Sequence, residues 1–186
     1  MLKNGSVENE GNVDEVINYY LKEGQELFNY NDLMLSEDGF AINFIGIRNL
    51  ESNYNQPILE DQPIVFELNY KKKTDIDYRF TLKFKNDEGS NFMTLSTLDK
   101  PNLIINGEKT LIVEIPPSFF NSKSFYIDLL VFNFRNGIRS RSFTLNDVIS
   151  FSIVNGKRGE GAWLGESSEL IKPEFNWKIK KNDSRT

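Results

Sequence analysis

The chain has 186 residues, 22 basic and 27 acidic side chains, a net charge of −5, and no cysteine or histidine. That excludes a disulfide framework, thiolate and imidazole catalysis and nearly every zinc site, and the acidic balance is the wrong sign for a general nucleic-acid binder. No apolar run approaches the roughly 20 residues that span a bilayer, and no signal-peptide pattern opens the chain, so the sequence predicts a soluble, cytoplasmic domain with no cofactor and no metal.

Residues 1–38 carry two basic and nine acidic side chains, a net of −7, whereas the rest of the chain is +2. Within this acidic segment Val13, Val16, Ile17, Tyr20 and Leu21 fall on one helical face. Asn12 is placed to cap that helix, with Glu15 three residues on as its reciprocal partner and Gly24 as the stop. Residues 24–38 are polar and read as a linker.

The body is β-rich. Residues 40–47 predict a strand with a bulge at Gly46. Ile64, Phe66, Leu68 and Tyr70 alternate with polar residues, as do Tyr78, Phe80, Leu82 and Phe84, and 92–95 return from the Asn86-Asp87-Glu88-Gly89 turn as a hairpin. Residues 110–115 stop at Pro116-Pro117. Residues 125–134 are apolar on both faces and predict a central strand; 148–154 and 175–179 predict two more. Short strands between turns indicate an all-β chain, an immunoglobulin-like or jelly-roll antiparallel β-sandwich with a short N-terminal helix.

Several chemical signals are absent. No G-x-x-x-x-G-K-[ST] phosphate loop is present, the Gly159-Glu160-Gly161 start lacks its third glycine at Leu164, and no Ser-x-x-Lys occurs. The carboxylate pairs Asp75/Asp77 and Asp87/Glu88 read as solvated turn residues rather than a glycosidase pair. Lys71-Lys72-Lys73 reads as a solubilising device on a sheet edge, with an acidic partner or lipid headgroups as the alternative. No catalytic residue is expected.

The central strand is more informative. Phe125, Ile127, Leu129 and Val131 make an ordinary core face, while Tyr126, Asp128, Leu130, Phe132 and Phe134 share the other. Aromatic rings stack on the C–H faces of sugars and a carboxylate accepts from their hydroxyls. Tyr126, Asp128 and Phe132 are therefore candidate glycan contacts, with Tyr70 and Trp163 as candidate neighbours. The alternative is that this face packs on another layer or on a second copy. Trp177 is expected to plug one end of the sandwich.

Leu2-Lys3-Asn4-Gly5-Ser6-Val7, followed by Glu10-Gly11-Asn12-Val13-Asp14-Glu15-Val16-Ile17-Asn18-Tyr19-Tyr20-Leu21, resembles the end of an ABC-transporter ATPase domain, where a hairpin with G-x-V-x-x-x-G precedes a helix. Among such ATPases, the β-rich body resembles that of the Wzt type, the subunits that export O-antigen and related polysaccharides. The similar elements are residues 40–48, Asp61-Gln62-Pro63, Ile115-Pro116-Pro117, residues 148–154 and Phe175-Asn176-Trp177. Lys123-Ser124-Phe125-Tyr126 departs from the G-x-Y that often enters the central strand of that family.

The resemblance implies that residues 1–30 are an ATPase remnant plus linker, 31–180 a polysaccharide-binding sandwich and 181–186 a tail, with the nucleotide site upstream of Met1. It further implies a non-enzymatic fragment, a polysaccharide ligand and a homodimer. Through the full-length parent it implies a membrane subunit of the transporter as partner, at the inner face of the bacterial inner membrane. The competing expectation is a structural dimerisation domain that never touches glycan. Terminal domains of this family vary with their glycans, so no site residue carries over by position.

Overall fold

The computed structural model describes residues 2–3, 6–7, 28–154 and 168–173. Strands β1 (Leu2–Lys3) and β2 (Ser6–Val7) form a small antiparallel pair. The remaining strands are β3 (Tyr30–Glu37), β4 (Phe40–Asn49), β5 (Ile58–Leu59), β6 (Ile64–Lys72), β7 (Asp77–Lys85), β8 (Asn91–Ser96), β9 (Gly107–Ile115), β10 (Ser124–Arg135) and β11 (Ile138–Val154). They form a five-stranded sheet ordered β5-β11-β10-β7-β8 and a four-stranded sheet ordered β3-β4-β6-β9. Every pairing is antiparallel except β5 with β11.

The period-two pattern explains why the sheets face each other. Phe40, Ile42, Ile45 and Ile47 of β4 and Ile64, Phe66, Leu68 and Tyr70 of β6 point inward, as do Tyr78, Phe80, Leu82 and Phe84 of β7 and Phe125, Ile127, Leu129 and Val131 of β10; all belong to one buried cluster. Phe40 and Tyr78 stack across the layers at 4.1 Å between ring centres. At the other end Phe120 meets Phe84, Phe92, Phe119, Phe125 and Phe151. As expected from its two apolar faces, β10 is the middle strand of the larger sheet.

Four expectations change. Residues 30–37, expected as linker, are strand β3; it lies at a sheet edge, so only Leu33, Leu35 and Glu37 are half-buried and the strand carries little apolar signal. The bulge of β4 falls between Ile42 and Phe44, not at Gly46, which stays in register opposite Glu67. Gly46 is glycine for another reason: a Cβ there would stand 2.8 Å from Phe44 Cζ and 2.9 Å from Tyr54 Cδ1. The lysine run ends β6, an interior strand, and Lys72 is buried with its Nζ donating to the Ile104 carbonyl at 3.1 Å, so it is no edge device. Finally, the 148–154 strand is the end of a 17-residue β11 that leaves β10 through Asn136-Gly137.

Asn136-Gly137 and Asp38-Gly39 both hold positive φ at their two positions, 51° and 77° and 49° and 78°. Two-residue hairpins need this conformation. The expected helix at 12–24, the strand at 175–179, Trp163 and Trp177 lie outside the described residues.

Candidate functional site

Register places the outward side chains of the larger sheet in three rows. Strand β7 contributes Arg79, Thr81, Lys83 and Lys85, opposite Phe132, Leu130, Asp128 and Tyr126 of β10. Strand β11 brings Arg141 opposite Phe132, Arg139 opposite Phe134, Thr144 opposite Leu130 and Ser150 opposite Tyr126. On the far side of β7, Thr94 of β8 stands opposite Lys83.

Asp128 sits at an irregularity. Between Ile127 and Leu129 the partner on β11 jumps from Ile149 to Leu145, so Asp128 faces a bulge. Asp147 in that bulge has a φ of 49°, and its N–H donates to Asp128 Oδ1 at 2.8 Å. Lys85 reaches both carboxylates at 2.6 Å. Burial pulls the Lys85 ammonium toward losing its proton, but the bonds to Asp128 and Asp147 outweigh it, and its pKa lies above the ordinary lysine value. Asp128 is thus committed within the sheet.

At the other end of the face, aromatic rings lie under guanidinium groups. Arg139 covers Phe132 at 3.9 Å from the ring centre, Arg141 approaches the same ring at 5.6 Å, and Arg79 covers Phe134 at 4.0 Å. Phe132 is consequently only 4% exposed although it points away from the core. Arg79 is also gripped by Asp77 at 2.7 Å. Arg139 and Arg141 are exposed.

The structure brings Tyr126, Asp128 and Phe132 onto one face, as the strand parity requires. It does not offer them in the way expected of them. The ring of Phe132 is covered by Arg139, and Asp128 is held by Lys85 and the Asp147 N–H. Tyr126 is half-buried. Tyr70 does not border this face: it is 3% exposed, between the layers, its ring 5.8 Å from that of Phe40. It took an inward position because its neighbours Leu68 and Phe66 alternate with Glu67 and Asn69, which put the odd, polar set outside. The residues that sequence reasoning missed are Arg79, Lys83, Arg139 and Arg141. The signal for the last two was the Asn136-Gly137 turn, which extends the sheet through them.

The opposite sheet carries a second outward cluster. Tyr30, Phe44 and Tyr54 group together, with 5.0 Å between the Phe44 and Tyr54 ring centres. The Tyr54 hydroxyl donates to Glu67, which Arg48 Nη2 meets at 2.6 Å, and Arg48 Nη1 donates to the carbonyls of Leu50 at 2.6 Å and Ser52 at 3.2 Å. Burial first, and the Glu67 bond second, push the Tyr54 phenol up to about 12. A shallow hollow of about 390 Å³ opens beside Arg48, Tyr54 and Glu67. Its charged groups are spent on one another and on loop carbonyls, which makes it a clamp on the 50–56 loop. Among the described residues no group of three carboxylates stands ready for a metal ion, and no helix is long and apolar enough to cross a membrane.

No protein-family model matches the chain, and no curated protein matches it. A solved structure does: the crystal structure of the C-terminal domain of Wzt aligns with a TM-score of 0.57 over 82% of this chain and 92% of that one, at 11% identity. The likeness is one of fold.

Proposed function

We propose that the chain is a non-catalytic carbohydrate-binding domain of an ABC-transporter ATPase, a β-sandwich of the immunoglobulin-like or jelly-roll kind that recognises an O-antigen or related cell-surface polysaccharide for export. The observation that carries the reading is the fold shared with the Wzt C-terminal domain, which agrees with the resemblance of residues 2–21 to an ATPase end. The parent protein then works at the inner face of the bacterial inner membrane, beside a membrane subunit.

The outer face of the larger sheet is where the polymer docks. It carries exposed hydroxyls at Thr94 and Thr144, Tyr126 at one end, and the guanidinium groups of Arg139 and Arg141 beside Phe132 and Phe134 at the other. Glycoside hydrolysis needs two carboxyl groups on either side of a scissile bond. The carboxylates here are taken, Asp77 by Arg79 and both Asp128 and Asp147 by Lys85, which supports binding without cleavage. A single such site is weak, in the micromolar-to-millimolar range of about −8 to −4 kcal/mol. A homodimer presenting two faces to a repeating polymer raises the apparent affinity by avidity.

The test is calorimetry with the purified cell-surface polysaccharide of the source bacterium, followed by an assay for new reducing ends. Binding of intact polymer that weakens in Tyr126→Ala supports the reading. Absence of binding, with the domain folded by circular dichroism, rejects it, and released reducing sugar rejects its non-catalytic part. Light scattering at micromolar concentration checks the dimer; a monomer mass rejects that element.

A further inference from the structure

We infer that the saccharide taken on this face is anionic, and that Arg139 and Arg141 recognise its carboxylate or phosphate group; the inference rests on the carbohydrate-binding reading and narrows its ligand class. The charge distribution is the first support. The chain is −5 overall, yet this face gathers Arg79, Lys83, Lys85, Arg139 and Arg141 against Asp77, Asp128 and Asp147. Each of those acids already holds a cation: Asp77 holds Arg79, and Asp128 and Asp147 share Lys85. Among the described residues, Lys83, Arg139 and Arg141 have no carboxylate partner, and the two arginines place their surplus charge beside Phe132 and Phe134.

Geometry is the second support. Arg139 and Arg141 are i and i+2 on one strand and point to the same side, about 6.6 Å apart along it, and both approach the Phe132 ring. A guanidinium that lies over a phenyl ring uses its flat face there, and its N–H edge stays open to solvent. That edge is the part that matches the paired oxygens of a carboxylate or phosphate. Two like charges this close repel, and nothing described neutralises them, so an anion between them relieves the repulsion. Thr144, exposed on the same face and opposite Leu130, next to the Phe132–Arg141 pair, supplies a partner for a hydroxyl of the sugar carrying the anion. That hydroxyl partner and the small size of the patch favour an acidic sugar over a nucleic acid, whose affinity comes from many phosphate contacts.

The experiment titrates the full chain with D-glucuronate, glucose 6-phosphate, inorganic phosphate and methyl α-D-glucoside, following the side-chain Nε–Hε signals of Arg139 and Arg141 by NMR. Calorimetry alongside uses polygalacturonate before and after carboxyl reduction, and oligothymidylate. Saturable shifts at both arginines with one or both acidic sugars are expected, about tenfold tighter than with the neutral glucoside. Which acidic sugar is stronger separates carboxylate from phosphate. Arg139→Ala/Arg141→Ala should abolish the difference between charged and neutral sugars, and the double Lys variant, which keeps the charge but not the planar fork, should restore part of it. Equal response to methyl α-D-glucoside, or equal binding of the reduced polymer, overturns the inference and leaves the carbohydrate reading standing. Inorganic phosphate as tight as glucose 6-phosphate, or oligothymidylate tighter than polygalacturonate, overturns it in favour of a general anion or nucleic-acid surface. Silence at both arginines with every probe overturns it as well, and silence extending to the source polysaccharide removes the carbohydrate reading too.

Discussion

Gly46→Ala tests the packing of the smaller sheet, because the new methyl enters space that Tyr54 fills. It would stand 2.8 Å from Phe44 Cζ and 2.9 Å from Tyr54 Cδ1, closer than such atoms approach. Backbone strain plays no part, since Gly46 has no positive φ. The Tyr54 ring must swing outward and give up its bond to Glu67, its edge contact with Phe44 and its place under Arg48 at 5.4 Å. A hydrogen bond to a charged group is worth about 1.5–3 kcal/mol and an aromatic pair about 0.5–1.5. Alanine returns about 0.4–1 kcal/mol by restricting the unfolded chain. The net loss is about 2 kcal/mol, which for a domain of this size lowers Tm by about 4–8 °C. Urea unfolding of Gly46→Ala, Tyr54→Ala and the double variant measures the coupling. If the cost runs through the Tyr54 ring, the glycine substitution costs at least about 1 kcal/mol less once that ring is gone. Equal cost in both backgrounds, or no cost in the wild type, would refute the reasoning.

Asn49 is fully buried, accepts from the Leu59 N–H at 2.7 Å and donates to the Leu59 carbonyl at 3.0 Å; Asn49→Ala leaves those groups unpaired and should cost about 2–4 kcal/mol in guanidinium unfolding. The phenol of Tyr54 sits at about 12 in the fold against an ordinary value of 10.0. Its contribution to stability is therefore present below pH 10 and lost as pH rises from 10 to 12. Tyr54→Phe should make the loss over that window smaller without abolishing it, because burial also raises Tyr70 and Tyr78; an unchanged slope would count against a raised Tyr54 phenol, from burial first and the Glu67 bond second. Asp128→Asn weakens the Lys85 pair while Asp147 remains, so a loss of about 1–2 kcal/mol is expected in thermal melts, and a stability equal to wild type would show that the pair is not a structural element.

Strands β6 and β7 were legible because each buries one face and alternates, β4 because its alternation breaks only at one bulge, and β10 because it is apolar on both faces. Strand β3 was not, since an edge strand over the core needs only Leu33 and Leu35 inside and is otherwise polar. The first half of β11 was hidden for the same reason: Arg139, Ser140 and Arg141 are exposed and carry no apolar signal. In both places a dipeptide with a physical meaning stood in the sequence, Asp38-Gly39 and Asn136-Gly137, and each opens or closes the unrecognised strand. The site was half legible. Parity alone puts Tyr126, Asp128 and Phe132 on one side of β10. What lies across from them depends on register, which a single strand does not encode, and register is what gives Asp128 to Lys85 and Phe132 to Arg139.

The register also decides which of the two outward clusters is available to a ligand. On the smaller sheet, Arg48 is surrounded by acceptors from its own chain: Glu67 and the carbonyls of Leu50 and Ser52. A ligand there would have to displace bonds that hold a loop. On the larger sheet, Arg139 lies over a ring that offers no hydrogen bond and Arg141 approaches the same ring, so the contact with Phe132 orients Arg139 without using its donors. Strand β10 is paired on both sides throughout this stretch, which keeps Phe132 in place beneath them. An arginine ordinarily loses about 2 kcal/mol of side-chain entropy on being fixed, and stacking takes part of that loss during folding rather than binding. Pre-orientation of this kind matters most for a weak ligand such as a sugar, where ordering costs are a large share of the total. Under the proposed reading, the face where Arg139 and Arg141 have no acceptor among the described residues is the one offered to a ligand, while the Arg48 cluster, its donors met by Glu67 and loop carbonyls, holds the 50–56 loop.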